Sequence, residues 1–142
     1  MELKTIDDIQ VGDKSDFTKT ISEMDIYLFA GITGDLNPAH VNEEYAKTTF
    51  FKARIAHAQL TAGLLSTVIG MQLPGPGTVI VSQNIKFSAP VYIGDTITAE
   101  IKVTEKDVDR NRLVLEGSCS NQKGVLVSHG EFIVSPNVRK KK

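Results

Sequence analysis

Asp35, Asn37 and His40 stand in one short stretch, Gly34-Asp35-Leu36-Asn37-Pro38-Ala39-His40, and are the residues of this chain best suited to moving protons. A carboxylate and an imidazole five positions apart, with Pro38 restricting the backbone between them, can converge on one small molecule. Both groups can pass protons near neutral pH when their surroundings tune them. Plainer readings account for the same letters. Asp and Asn recur in turns because their side chains bond nearby backbone groups, and His40 can sit beside a helix cap or on the surface. Spacing alone leaves these readings open. No metal site is expected, because His57 and His129 lie far off in sequence and no paired-ligand motif exists. No local Ser-His-Asp signature is present either. The single cysteine, Cys119, lies in a strand-like stretch and reads as a buried bystander.

Elements of secondary structure must hold that stretch in place. Ser22 with Asp25 three residues on reads as a helix N-cap, and Ile26, Phe29 and Ala30 then share a face. This helix should stop within Gly31 to Gly34. Asn42 can cap a second short piece through Glu43, Glu44, Tyr45 and Ala46. The clearest helix runs from His57 to Met71, where Leu60, Leu64, Val68 and Met71 recur at spacings of four, four and three. A helix apolar around most of its circumference is a buried helix. Gly63 and Gly70 inside it each cost roughly 1 kcal/mol against Ala, which suggests close packing there. Pro74-Gly75-Pro76-Gly77 ends it.

Strands follow. Val79 to Val91 alternates, with Ile85, Phe87, Ala89 and Val91 on one face. Ile97, Ala99, Ile101 and Val103 alternate with polar residues, the pattern of an antiparallel strand with one face in the core. Leu113 to Ser120 and Val125 to Val134 form a hairpin around Asn121-Gln122-Lys123-Gly124. A fifth strand is expected over Lys14 to Ile21. The fold class is therefore α+β, a curved antiparallel sheet wrapped around one long central helix, known as the hot-dog fold. A small sheet leaves edge strands, and pairing two of them across a homodimer removes that liability.

The bulk properties agree. The 142 residues, 41% of them hydrophobic, suit one domain with one core. Its expected span is 1–142, with 136–142 a flexible basic tail. A net charge of -1 gives no global field for nucleic acid or an anionic membrane. The N-terminus has acidic residues and no apolar core of a signal peptide. The apolar stretch from Leu60 to Met71 is too short to span a bilayer. A soluble, cytoplasmic protein is the expectation.

Longer stretches carry a resemblance. Tyr27 to His40, with its Asp35-x-Asn37-Pro38-x-His40 core, looks like the hydratase-2 motif of the MaoC-like dehydratase family. The likeness continues through Phe51 to His57, Leu73 to Thr78, Lys86 to Val91 and Gly94-Asp95-Thr96, so it spans nearly the whole chain. The chain is most similar in kind to the short, single-domain (R)-specific enoyl-CoA hydratases. That resemblance implies reversible hydration of trans-2-enoyl-CoA to (R)-3-hydroxyacyl-CoA. Asp35 and His40 match the catalytic pair, holding one water that adds to C3 and C2 on the same face.

Further expectations follow from the same resemblance. The family places a Gly after the His that opens the long helix, where its N–H polarises the thioester carbonyl. Ala58 occupies that position here and keeps the N–H. Gly63 stands where many relatives carry a small polar pocket residue. Asn37 fixes the loop or bonds near the pair, and His57 is structural. No cofactor is required, since coenzyme A is part of the substrate. Lys52 and Arg54 are candidate contacts for its phosphates. The competing readings are a hot-dog acyl-CoA thioesterase and a non-catalytic acyl-thioester binder. Thioesterases generally place an acid on the central helix, and none lies between His57 and Leu73.

Overall fold

The computed structural model describes residues 3–138. Five strands form one antiparallel sheet: β1 (Lys14–Thr20), β2 (Val79–Phe87), β3 (Thr96–Asp107), β4 (Arg112–Ser120) and β5 (Leu126–Ser135). Their order across the sheet is β1-β3-β4-β5-β2, so β1 and β2 are the edges. Four α-helices accompany them among the described residues: α1 (Glu23–Thr33), α2 (Pro38–Val41), α3 (Glu43–Thr48) and α4 (Ala58–Met71). This is the expected α+β arrangement, with α4 laid on the inner face of the sheet.

The alternation in β3 does what its pattern dictates. Ile97, Ala99, Ile101 and Val103 are fully buried. Against them α4 turns Leu64, Leu65, Val68 and Ile69, all buried. Burying an aliphatic side chain of this size contributes roughly 1.5–3 kcal/mol relative to leaving it exposed. Gly117 on β4 lets the helix approach, because a Cβ there would crowd Phe132, Leu65 and Ile101 at 3.0–3.2 Å.

Several expectations need correction. Gly63 and Gly70 do not mark close packing, since a Cβ at either would meet nothing within 4 Å. They fall on the side of α4 turned away from the sheet. The strand expected to reach Val91 ends at Phe87. A register shift between Ile80 and Ser82 breaks its alternation, and residues 88–91 leave the sheet. The stretch read as a loop up to His40 contains a helical turn, α2. The flexible tail does not begin at 136. Asn137 forms a bridge with Thr5, and its amide donates to the carbonyls of Lys4 and Pro76. Residues 139–142 of that expected tail lie outside the described residues.

Candidate active site

Short polar segments fold tightly between α1 and α4 to build the site. Gly34 ends α1 in the left-handed region at φ 81°, where a side chain would be strained. The next residues are held by their own side chains. Asp35 N–H donates to the Thr33 hydroxyl at 3.2 Å, and Asp35 Oδ1 accepts from Asn37 N–H at 3.1 Å. Asn37 Oδ1 in turn accepts from Ala39 N–H at 3.0 Å and caps α2, with Pro38 at the first helical position. The turn-former reading of Asp35 and Asn37 is thus true of their backbone contacts, and it serves to aim His40. Asn37 fixes this loop and does not line the cavity described below.

His40 is buried and donates from Nδ1 to the Ile55 carbonyl at 2.7 Å. A carbonyl oxygen can only accept, so the neutral ring carries its proton on Nδ1 and leaves Nε2 with a lone pair. The Ile55 segment is itself fixed, by Ile55 N–H to Ala39 O at 3.2 Å and Ala56 N–H to Val91 O at 2.7 Å.

Asp35 and His40 both line a cavity of about 510 Å³, with their ligand atoms within 4.8 Å of each other. Its walls are mostly apolar, from Phe51, Ile55, Phe87, Pro90, Val91 and Val127. Ala58, the first residue of α4, also lines it. As the first residue of the helix its N–H has no partner within the helix, and the helix dipole adds positive character there. An acid, a base and a free N–H therefore face one apolar cavity, as a polar reacting group on a greasy tail requires.

Sequence spacing set His57 aside, and folding brings it in. Its ring centroid lies 3.9 Å from that of His40 and 4.5 Å from that of Phe29. Its Nε2 donates to the Asp35 carbonyl at 3.0 Å. Ligand atoms of Asp35, His40 and His57 lie within 4.8 Å of one another, so this trio is the one place among the described residues with the makings of a metal site. One nitrogen of each ring donates a proton to a carbonyl, which leaves the other nitrogen of each ring with a lone pair.

Other expected contacts fall elsewhere. Gly63 is exposed and does not line this cavity: it lies two residues beyond Thr61, on a different side of the helix. Arg54 is not free to hold a phosphate. Its guanidinium donates to Glu43, Glu23 and the Tyr27 hydroxyl at 2.8, 2.5 and 3.0 Å, tying α1 to α3. Thr61 and residues 88–91 line the cavity without having been singled out. The helical period from Ala58 would have flagged Thr61. Lys86 to Val91 carried the family likeness, but nothing local set 88–91 at the cavity, because their position depends on where β2 ends.

Comparison with known proteins is consistent with this geometry. Residues 8–122 match the model of the MaoC like domain. The chain belongs to the MaoC-like family. It is 50% identical over 132 residues to an (R)-specific enoyl-CoA hydratase of Rhodospirillum rubrum, covering 93% of this chain and 91% of the relative. It is 44% identical over 128 residues to a 3-hydroxybutyryl-CoA dehydratase of Methylorubrum extorquens, covering 90% and 81%. The unliganded R-hydratase PhaJ1 of Pseudomonas aeruginosa superposes with a TM-score of 0.90 at 37% identity, covering 99% of this chain and 93% of that one. Such relatives are hydro-lyases, and so is this chain.

Proposed function

We propose that this chain adds water reversibly to a trans-2-enoyl-CoA to give the (R)-3-hydroxyacyl-CoA. The observation that carries the reading is the convergence of Asp35 and His40 in the lining of one mostly apolar cavity that the start of α4 also lines. One water can bridge two acceptors whose atoms lie within 4.8 Å of each other. Asp35 offers a carboxylate and His40 its Nε2 lone pair, so the water is held by both of its protons. Its oxygen attacks C3 while the pair takes one proton. The π electrons move toward the thioester, and negative charge grows on the carbonyl oxygen. The Ala58 N–H donates to that oxygen and offsets its charge, and donors of this kind are worth several kcal/mol. The pair then returns a proton to C2 on the same face, which leaves atoms and charge balanced with no redox partner.

The acyl chain enters the apolar part of the cavity. No helix of the described residues is long and apolar enough to cross a membrane. The active form is a homodimer. Neither edge strand has an outer strand partner among the described residues, and β2 exposes Val79 and Val81 along its length.

Crotonyl-CoA tests the reaction. The expected result is loss of the enoyl absorbance with no free thiol released. Thiol release as the main event would sink the hydration reading and favour thioester hydrolysis.

A further inference from the structure

His57 is the N-cap residue of α4 and is 2% exposed, wedged between Phe29 and His40. Three connections leave it. Its ring stacks on that of His40 at 3.9 Å. Its Nε2 proton goes to the backbone carbonyl of Asp35 at 3.0 Å. Its own peptide carbonyl carbon is bonded to the nitrogen of Ala58. The acid and the base come from one turn and the free N–H from the start of α4, and this one residue touches all three.

A histidine kept only to fill space does not fit these facts. Phe29 and His40 would pack equally well on an apolar ring. An imidazole also brings Nδ1, which is buried with no partner among the described residues. Burying a polar atom unpaired costs free energy. The ring makes no capping bond to α4 that would offset it. What imidazole supplies and phenyl does not is the Nε2–H on Asp35. That bond fixes the Asp35–Leu36 peptide plane. Rotation of the plane would swing the carboxylate away from the water it shares with His40.

We infer that His57 is a positioning residue that locks Asp35, His40 and Ala58 into one geometry, as the neutral tautomer protonated on Nε2. The inference rests on the hydration reading for its kinetic consequence, though its structural core does not. Displacement of a reacting group by an ångström or less can cost about a hundredfold in rate. The loss should fall on kcat in a variant that keeps a ring of similar size, because His57 is one residue of the cavity wall and the rest of that wall is left in place.

Two variants of the full chain test this with crotonyl-CoA. His57→Phe keeps the stacked ring and loses the donor. Its kcat should fall by about ten- to a hundredfold with KM nearly unchanged and the unfolding midpoint retained. His57→Gln loses the ring but keeps an N–H of similar reach, and should recover most of that loss. Wild-type kcat in His57→Phe overturns the inference. So does a joint fall of kcat and unfolding midpoint in both variants, which marks a merely structural role. A long-range proton–nitrogen NMR spectrum of the wild-type histidine rings reads the core claim without turnover. His57 should be protonated on Nε2 and His40 on Nδ1, and His57→Gln should shift the His40 ring signals. A His57 proton on Nδ1 in the wild type overturns the inference even if either variant fails to fold, and so do His40 signals that do not move in folded His57→Gln. A wild-type chain that leaves crotonyl-CoA intact but shows the expected ring spectrum removes the hydration reading alone.

Discussion

His40 gives its Nδ1 proton to the carbonyl of Ile55 at 2.7 Å, and that single bond decides which face of the ring can do chemistry. With Nδ1 committed, Nε2 is the nitrogen left to accept a proton from water. Asp35 supplies the second acceptor. Replacing His40 with Gln, or Asp35 with Asn, removes one group able to take up a proton while roughly keeping side-chain size. Each should lower kcat for crotonyl-CoA hydration by about 10²-fold or more, the usual range for general acid–base groups. Decay of the enoyl absorbance measures it. Near-normal rates in both variants rule out the pair.

Cys119 bears on how that assay is run. It is fully buried, and its thiol donates to the Thr61 carbonyl at 3.6 Å. Burial pushes the thiol up to about 11. The thiolate is the reactive form, so the native chain should not react with an aromatic disulfide reagent at mildly alkaline pH. After denaturation one thiol per chain should appear. Rapid labelling of the native protein would contradict the burial.

How far the letters alone led depends on the range of the interactions. Strand β3 was legible because its alternation is local and one face meets the core. The caps at Ser22 and Asn42 were legible because their partners lie three residues away. Asp35 and His40 stood out for the same reason, sitting in one fixed turn. His57 was not legible as a neighbour of that turn: its bond to Asp35 spans 22 positions and exists only once α4 packs on the sheet. Arg54 misled for a related reason. An arginine near a site reads as a phosphate ligand until the fold brings Glu23 and Glu43 to it from two helices. Gly63 misled because a helical glycine is usually read as a point of contact, and here the space beside it is open.

The Arg54 cluster has its own pH signature. The Arg54 guanidinium, aided by the Tyr27 hydroxyl, holds the Glu23 carboxyl below its ordinary value of 4.5. A carboxylate with a lowered value in the folded state stabilises the fold above its ordinary value. That contribution is lost as pH falls through the lowered value, where Glu23 protonates in the folded chain as well. Wild type should therefore unfold at a higher temperature than Glu23→Gln near neutral pH. The gap should close as the solution is taken below the carboxylate range. Thermal unfolding across an acid series checks it, and a gap independent of pH would show that the charge on Glu23 does not contribute. Glu23 is open to solvent, so the gap is expected to be small.

Edge strand β2 offers the test of assembly. Val79 and Val81 are 61% and 50% exposed on a strand whose outer side has no neighbour among the described residues. An open edge with apolar side chains invites a second strand, and a second copy supplies one at no cost in specificity. Lysine at both positions would place like charges against each other across a two-fold axis. The wild-type chain should scatter light as twice its 15.5 kDa mass, and the Val79→Lys/Val81→Lys double variant should shift toward one. Two outcomes tell against pairing through β2. One is a wild-type monomer, and the other is a double variant that stays dimeric, which would move the interface to another face.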